Sequence, residues 1–273
     1  MPELPEVEST RQYLIPFLEQ ATIQSVDVTR PRMLRRQPPG GGFAERLVGR
    51  TVTALGRHGK LLLALLDDGV LWATHLGMSG RMAMSPTGSP PLPHTQLSVG
   101  IGPLEVRMID PRTFGYFAAF APLDPLPHAE WGPDALADLP SSAVLANLLA
   151  GRRAPVKALL LDQRFLAGIG NIYADEALWR AGVRPARPGG ALCRDEVKRL
   201  RRGIVAALNA GLAAGGTTLD DLAYLLPDGR AAGTTLHLKA YGREGKRCLR
   251  CRGRILRTTI RQRSSFYCGS CQA

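Results

Sequence analysis

The chain has 273 residues, of which 45% are apolar and 21% charged, and this balance excludes both wholesale disorder and a bundle of membrane helices. Its length predicts one large domain or two ordinary ones, each able to bury a core without disulfide staples. Lys and Arg number 35 against 23 Asp and Glu, and the resulting net charge of +12 favours a polyanionic partner such as nucleic acid.

The N-terminus carries the acidic residues Glu3, Glu6 and Glu8 where an export signal would have a basic region followed by an apolar one. This pattern predicts no secretory or transit segment. The longest aliphatic run, residues 61–66, is far too short to span a bilayer, so we expect no membrane partner.

The first third of the chain predicts a helix followed by an antiparallel β-structure. Residues 3–20 place apolar side chains at helical spacing. Short runs of aliphatic and β-branched residues then alternate with turn residues, which is typical of a sandwich or barrel. The predicted strands are residues 23–28, 51–55, 61–66, 70–75, 104–110 and 116–120.

A second domain is predicted beyond residues 122–140, which contain five prolines and little periodicity and therefore indicate a linker. Helical spacing recurs in segments 142–150, 155–162, 171–181 and 194–214, whereas residues 215–233 are glycine-rich and predict a long loop. The expected domains are residues 2–121, the linker 122–140, a helical domain 141–236 and a basic C-terminal element 237–273.

The C-terminal element holds ten Lys and Arg residues, one acidic residue and four of the five cysteines. The cysteines form two close pairs separated by 16 residues, namely Cys248, Cys251, Cys268 and Cys271. This spacing is typical of a zinc ribbon, in which four thiolates complete a tetrahedral shell and leave no position open for catalysis. Two disulfides are the alternative, but such pairs in a chain without an export signal favour one structural Zn²⁺.

The sequence Gly168-Ile169-Gly170-Asn171 lies between two predicted helices. It lacks the third glycine and the preceding strand of a dinucleotide-binding fingerprint, so it predicts no nucleotide cofactor. An ordinary helix cap is one interpretation, and a phosphate site at the helix N-terminus is the other. The nearby basic residues favour a clamp on the DNA backbone; they are Arg152, Arg153, Lys157 and Arg164.

The N-terminus itself could carry chemistry. Removal of Met1 would leave Pro2 with a free secondary amine beside Glu3 and Glu6, which share one helical face. An amine can attack an electron-poor carbon and form an iminium, as catalytic lysines do. The plainer interpretation is a proline in the first helical turn with acids favoured by the helix dipole.

Six segments, in order along the whole chain, are similar to bacterial formamidopyrimidine-DNA glycosylases: residues 1–8, 59–60, 75–80, 110–115 and 162–178 and the cysteine ribbon. The resemblance implies an α+β fold with an N-terminal helix and β-sandwich, a helical helix-two-turns-helix domain and a C-terminal zinc ribbon. It also implies an enzyme that removes oxidised purines, notably 8-oxoguanine paired with cytosine, and then cleaves the abasic strand.

The resemblance further implies which residues act. Pro2 corresponds to the nucleophile at the sugar C1′, Glu3 to the acid that helps open the sugar ring, and Lys60 to the group that assists β-elimination. Arg263 corresponds to the arginine that holds the lesion-side phosphate and assists δ-elimination, and Asn171 shares that phosphate. No redox or nucleotide cofactor is implied beside the zinc.

Three residues correspond to the side chains that fill the gap left by the flipped base, namely Met78, Arg112 and Phe114. Without the resemblance, core packing would be the ordinary role of Met78 and Phe114. His94 and Arg152 match further DNA contacts, although the family's His-Asp-His is here His94-Thr95-Gln96. Residues 233–236 also lack an aromatic that the family commonly places after its lesion-capping loop, which leaves the choice of base open.

The resemblance implies a monomer that acts on damaged double-stranded DNA in the bacterial cytoplasm, associated with the nucleoid through that DNA. Two rival interpretations remain at this point. The sibling endonuclease VIII type prefers oxidised pyrimidines, but Met78 and the 110–115 turn favour the purine branch. A zinc-ribbon DNA-binding protein without catalysis would explain the charge and the cysteines, but not Pro2, Glu3 and Lys60 together.

Overall fold

The computed structural model describes residues 2–126, 128–218, 224–233 and 238–273. The chain divides into two compact units. The first consists of Met1–Ala129 and Ala214–Thr234, and the second of Glu130–Ala213 and Thr235–Ala273. The stretch that follows the last long helix therefore belongs to the first unit.

The first unit begins with helix α1 (Leu4–Leu18), as the periodicity predicts. Glu3 caps the helix in extended conformation, and its apolar positions Leu4, Leu14 and Leu18 are almost completely buried. The side chain of Glu6 completes the cap, so the first turn satisfies its own N–H groups.

Two antiparallel four-stranded sheets follow and confirm the predicted sandwich. One sheet has the order β1 (Ser25–Val28), β6 (Thr95–Ile101), β7 (Leu104–Ile109), β5 (Arg81–Pro86). The other has the order β2 (Val52–His58), β3 (Leu61–Leu66), β4 (Leu71–His75), β8 (Tyr116–Phe120). Short helix α2 (Phe43–Leu47) contributes Phe43, whose ring packs against Trp72 and Phe117 in the core.

The second unit contains helices α3 (Ser142–Leu149), α4 (Val156–Leu160), α5 (Asn171–Ala181) and α6 (Arg194–Ala213). Helix α5 ends at Gly182, which adopts the left-handed conformation. The apolar face of α6, including Leu200 and Ile204, is buried as its spacing predicts. Strands β9 (Ile255–Ile260) and β10 (Arg263–Cys268) form the C-terminal hairpin. Within the described ranges, no helix has the length and apolar character needed to cross a membrane.

Candidate active site and DNA interface

Pro2 and Glu3 are buried immediately before helix α1, and Glu3 is only 2% exposed. The Glu3 backbone N–H donates to Oε2 of Glu6 at 2.8 Å. The predicted nucleophile and the predicted acid are thus consecutive residues whose backbone is fixed by the helix cap. Such fixation is what a reaction at the chain terminus requires, because a terminus is otherwise mobile.

Glu6 is a structural carboxylate, although the sequence pairs it with Glu3. Its Oε1 accepts the backbone N–H of Thr217 at 2.7 Å. Its carbonyl oxygen accepts the hydroxyl groups of Tyr224 at 2.8 Å and Thr10 at 2.9 Å. Burial raises the pKa of Tyr224, so its hydroxyl keeps the proton that it donates. Glu6 therefore attaches the 214–218 segment and Tyr224 to helix α1.

Lys60 lies in the turn between β2 and β3 and is 6% exposed. A chain of bonds connects this turn to helix α1. The Arg57 guanidinium donates to the Gly59 carbonyl at 2.9 Å and to Oε2 of Glu8 at 3.0 Å. Since Arg57 is itself buried, this chain fixes the Lys60 backbone relative to the helix that begins beside Pro2.

His75 lies in the 75–80 segment of the resemblance, which predicts no role for this side chain. It ends β4, and the strand register places it beside Leu61 and Tyr116, at the edge where the Lys60 turn begins. Its ring stacks on Tyr116 at 5.4 Å between ring centroids. Burial, followed by the charges of Lys60 and two nearby arginines, lowers the pKa of His75 to about 4. The edge is thus strongly positive around an imidazole that is neutral at physiological pH.

This depressed pKa makes His75 a source of pH-dependent stability. The unfolded chain binds the proton near pH 6.5 and the folded protein near pH 4, so stability present above pH 6.5 is lost as the pH falls through that window. The contribution is at most about 3 kcal/mol. We expect the melting temperature of the wild type to fall more steeply between pH 6.5 and 4.5 than that of His75→Asn. Parallel curves for the two proteins would contradict the assignment.

Two turns carry the predicted gap-filling residues. The Met78 turn (residues 76–80) follows β4, and the Arg112 turn (residues 111–115) precedes β8. Met78 is half-buried, whereas Arg112 and Phe114 are exposed, with the Arg112 guanidinium 4.9 Å from the centre of the Phe114 ring. His94 is exposed directly before β6, with a positive φ of 65°. All four side chains are accessible to a ligand.

Asn171 is the first residue of α5, and Gly170 rather than Asn171 caps the helix. The side chain of Gln163 fixes the preceding glycine turn by accepting the Gly168 N–H at 2.9 Å and donating to the Ile169 carbonyl at 3.0 Å. Among the residues that the structure describes, no donor reaches the buried Oδ1 of Asn171. This oxygen is an acceptor, so an anion at this helix N-terminus would be held by N–H donors rather than by Oδ1.

Arg263 is exposed at the start of β10, immediately after the hairpin turn. Arg261 and Gln262 form this turn with φ values of 45° and 60°, the left-handed pair of a two-residue type I′ turn. The hairpin thereby presents Arg263 to solvent. Arg152 is likewise exposed, two residues beyond the cap of α3.

The prediction that the basic residues around Asn171 all face the DNA backbone is wrong for Lys157. It is completely buried, and its Nζ lies 2.7 Å from Oδ1 of Asp175 and donates to the Ser264 carbonyl at 2.9 Å. Burial raises the pKa of Asp175 to about 6, and Lys157 opposes that shift. Asp175 also accepts the N–H of Phe266 at 2.9 Å, so this pair attaches β10 to helices α4 and α5.

The four ribbon cysteines lie together as the spacing predicts, with their Sγ atoms all within 4.8 Å of one another. A tetrahedral zinc with bonds of about 2.3 Å places its sulfurs about 3.8 Å apart. The Sγ atoms of Cys248 and Cys271 are 3.8 Å apart, and those of Cys251 and Cys268 are 3.4 Å apart. All five cysteines of the chain are free thiols. The residues therefore fit a closed zinc site and exclude the disulfide alternative in this structure.

Several N–H groups donate hydrogen bonds to the cysteine sulfurs and thereby favour the thiolate form that binds a metal. The backbone N–H of Arg250 donates to Sγ of Cys248, and that of Ser270 donates to Sγ of Cys268, both at 3.4 Å. The indole N–H of Trp179 also donates to Sγ of Cys248, at 3.3 Å. Burial raises the pKa of Cys248, but the backbone N–H groups of Cys251 and Arg250, followed by the Trp179 indole, lower it to about 6, which favours the thiolate that zinc binds.

The predicted site residues fall into two groups, one in each unit. The first unit contains Pro2, Glu3, Lys60, Met78, His94, Arg112 and Phe114, and the second contains Arg152, Asn171, Arg263 and the four zinc ligands. Met1 lies outside the described residues. So do residues 234–236, which belong to the 233–236 segment that lacks the family's usual aromatic residue.

Three family models match consecutive parts of the chain. The formamidopyrimidine-DNA glycosylase N-terminal domain matches residues 1–117, and the H2TH domain of the same glycosylase matches residues 131–222. A zinc finger found in FPG and IleRS matches residues 245–273. The three matches follow the order of helix and sandwich, helical region and cysteine hairpin.

Individual proteins are similar over nearly the whole length. The formamidopyrimidine-DNA glycosylase of Moorella thermoacetica is 42% identical over 256 residues, which cover 92% of each chain. The Fpg crystal structure from Thermus thermophilus superimposes with a TM-score of 0.88 at 35% identity, covering 99% of this chain and 98% of that one. A complex of Lactococcus lactis Fpg with DNA containing an abasic site gives 0.89 at 27% identity, with 99% of both chains covered.

Proposed function

The chain belongs to the formamidopyrimidine-DNA glycosylase family, and from this membership we propose that Pro2, Glu3, Lys60 and Arg263 carry its reaction. The protein is a DNA glycosylase for oxidised purines in base excision repair, with AP lyase activity. The observation that carries the residue assignment is the burial of Pro2 and Glu3 side by side at a capped helix start, where an N-terminal amine is held in one place.

In the first step, the lone pair of the Pro2 nitrogen forms a bond to C1′ of the flipped nucleoside, the electrons of the glycosidic bond leave with the base, and the nitrogen passes its proton to that base. The bond between C1′ and O4′ then breaks. Glu3 gives a proton to O4′, and the nitrogen lone pair completes an iminium. Mature Pro2 supplies this secondary amine only after Met1 has been removed.

The iminium is an electron sink, so the carbon next to it becomes acidic. Loss of a proton from C2′ expels the 3′ phosphate, and a later proton loss from C4′ expels the 5′ phosphate. Lys60 assists the first elimination, and Arg263 neutralises the lesion-side phosphate and assists the second. Water then hydrolyses the iminium, so the sugar remnant leaves as an unsaturated aldehyde and Pro2 regains its free amine. A zinc held by the four cysteine thiolates would have no open coordination position, so it would supply none of these steps.

The remaining candidates divide into those that read bases and those that hold phosphate. Met78, Arg112 and Phe114 fill the gap left by the flipped base, since solvent-accessible apolar and guanidinium groups can replace its stacking. Arg112 reads the acceptors of the orphaned cytosine. Asn171 and Arg263 hold the backbone, and His94 and Arg152 add further DNA contacts. We also propose that the protein acts as a monomer, without a membrane partner, on nucleoid DNA in the bacterial cytoplasm.

Replacing Arg112 should change the preference for the base opposite the lesion, whereas replacing Arg263 should change the overall affinity for DNA. We expect Arg112→Ala to erode the preference for cytosine over adenine opposite 8-oxoguanine, by about 1 to 3 kcal/mol if a bidentate contact is lost. Arg263→Ala should weaken binding to lesion and undamaged duplexes alike and reduce the salt dependence, because a phosphate contact carries no base identity. The measurement is a matrix of both variants against each lesion and opposite base at two salt concentrations.

The exposed Arg254 provides a matched control for charge, since it lies directly before the same hairpin and donates to the Gly245 carbonyl. Arg254→Ala should change neither the base preference nor the excision of 8-oxoguanine at saturating protein. An equal loss for cytosine and adenine partners in Arg112→Ala would reject the reading role.

A further inference from the structure

One buried carboxylate connects the two turns that carry the gap-filling side chains. Asp110 is completely buried. Its Oδ1 accepts the Ser79 hydroxyl at 2.7 Å and the Arg112 backbone N–H at 3.2 Å. Its Oδ2 accepts the Gly115 backbone N–H at 2.8 Å. The carboxylate thus bonds to the Met78 turn and to both ends of the Arg112 turn.

The backbone of Asp110 extends this connection to His94. The Asp110 N–H donates to the His94 carbonyl at 3.0 Å. The Asp110 carbonyl accepts Nε2 of Gln96, also at 3.0 Å, and Gln96 is buried. The residue therefore contacts the segments that carry all four predicted DNA contacts of the first unit. Hydrogen bonds to a buried charged group are worth more than neutral ones, so this arrangement resists local rearrangement.

The two turns also touch through their backbones. Gly77 has a φ of +67°, and a Cβ atom at this position would collide with the backbone of Phe114 and Gly115. Only glycine permits both this conformation and this approach. On the opposite side, Arg35 donates to the Phe114 carbonyl at 2.7 Å and to the Gly115 carbonyl at 2.6 Å. Arg35 thereby holds the Arg112 turn, while Asp110 and Ser79 link that turn to the Met78 turn.

We propose that Asp110 is a positioning residue for opposite-base discrimination. By fixing the Met78 turn against the Arg112 turn, it sets where the Arg112 guanidinium lies when Met78 enters the stack. Discrimination by a bidentate contact needs this placement, because a displacement of about 1 Å in a supporting group is enough to lose oriented hydrogen bonds. The inference rests on the proposed function, in which Arg112 reads the orphaned base.

Asp110→Asn tests the proposal with little change in shape. In either orientation of the amide, its NH₂ faces one backbone N–H, that of Arg112 or that of Gly115, so the Arg112 turn loses its acceptor at one of its two ends. We expect the ratio of excision opposite cytosine to excision opposite adenine to fall roughly threefold to tenfold. Ser79→Ala, which removes only the link between the turns, should lower the ratio less and leave the melting temperature near that of the wild type. Ser79→Ala therefore still tests the positioning role of Asp110 if the Asp110→Asn variant folds poorly.

A double mutant separates positioning from general support. If Asp110 acts through Arg112, then Asp110→Asn combined with Arg112→Ala should lose no more of the cytosine preference than Arg112→Ala alone. A merely structural role would instead lower excision opposite both bases, and cleavage of abasic DNA, by the same factor. Ser89→Ala is the matched hydroxyl control, because Ser89 Oγ donates to the Pro86 carbonyl at 2.7 Å in the same unit. We expect it to keep the wild-type ratio.

The outcomes distinguish this proposal from the proposed function. A normal ratio in Asp110→Asn and Ser79→Ala, with the ratio lost in Arg112→Ala, would overturn the positioning role alone. An unchanged ratio in Arg112→Ala would overturn the reading role of Arg112, and the positioning role with it. Loss of the ratio in Asp110→Asn and Arg112→Ala, without further loss in the double mutant, supports both.

Discussion

Borohydride will trap the protein covalently on duplex DNA that contains 8-oxoguanine or an abasic site. The reagent reduces the iminium between Pro2 and C1′ to a stable amine, so the product is a protein–DNA adduct visible on a denaturing gel. The Pro2→Gly variant keeps an N-terminal amine but makes it primary and removes the ring that fixes its geometry. We expect trapping by this variant to fall at least about tenfold, since the activated nucleophile sets the rate.

Glu3→Gln should separate base excision from strand cleavage. Its side chain keeps an oxygen that can accept the Glu6 N–H, so the cap of α1 survives while the proton donor is lost. We expect excision of 8-oxoguanine to fall roughly 100-fold, in line with the loss of a general acid. Cleavage of an abasic site should suffer less, because its open-chain aldehyde reacts with Pro2 without assisted ring opening.

Two controls test whether the covalent bond forms at the amine of Pro2: a matched Glu variant and protein that retains Met1. Glu45→Gln is a matched control, because Glu45 accepts the Gly42 N–H at 2.9 Å at the start of α2, in the same unit. It should behave as the wild type in both assays. Protein that retains Met1, identified by intact mass, should form no adduct. The absence of any adduct with protein that begins at Pro2 would reject the lyase mechanism at this residue.

The elements whose bounds could be predicted from sequence are those that Gly, Pro or Asp residues bound on both sides. Strands β3 and β8 and helix α5 have the expected bounds. Strand β5 was missed because Arg81–Pro86 is rich in methionine and alanine, which favour helices. Strand β6 was missed because it is buried on both faces and holds a buried polar side chain, that of Gln96, so it shows no alternation.

The site was predictable wherever chemistry depends on residue type and spacing, as in the cysteine ribbon. It was not predictable where a partner is distant in sequence. From the sequence, Lys157 is expected to be a surface cation, whereas in the fold it pairs with Asp175. Asp110 is likewise expected to be a turn residue, whereas in the fold it accepts a hydrogen bond from Ser79, which lies 31 positions away in the sequence. His75 has no signal of its own, because its low pKa arises from burial and from the charges of Lys60, Arg35 and Arg36. Long-range electrostatics therefore require the folded chain.

Removal of the metal should abolish DNA binding while the first unit stays folded. Zinc contributes about 10 to 16 kcal/mol to the folding of comparable small elements, far more than the packing of a hairpin with two six-residue strands can replace. We expect one equivalent of zinc in the freshly purified wild type and much less than one in Cys268→Ser. Without the metal, the β9–β10 hairpin that presents Arg263 unfolds, and with it one of the proposed phosphate contacts is lost.

The fluorescence of Trp179 should report the loss of zinc and the unfolding of the hairpin directly. Its indole N–H donates to Sγ of Cys248, and the Arg250 guanidinium lies 4.5 Å from the centre of its ring. Chelation of zinc from the wild type should therefore change the tryptophan emission in step with the loss of DNA binding, and Trp179→Phe should remove most of that change. The fifth cysteine supplies the matched control. Cys193 is exposed and outside the cluster, so Cys193→Ser should keep both zinc and DNA affinity. Full DNA affinity in zinc-free Cys268→Ser would refute the structural role of the metal.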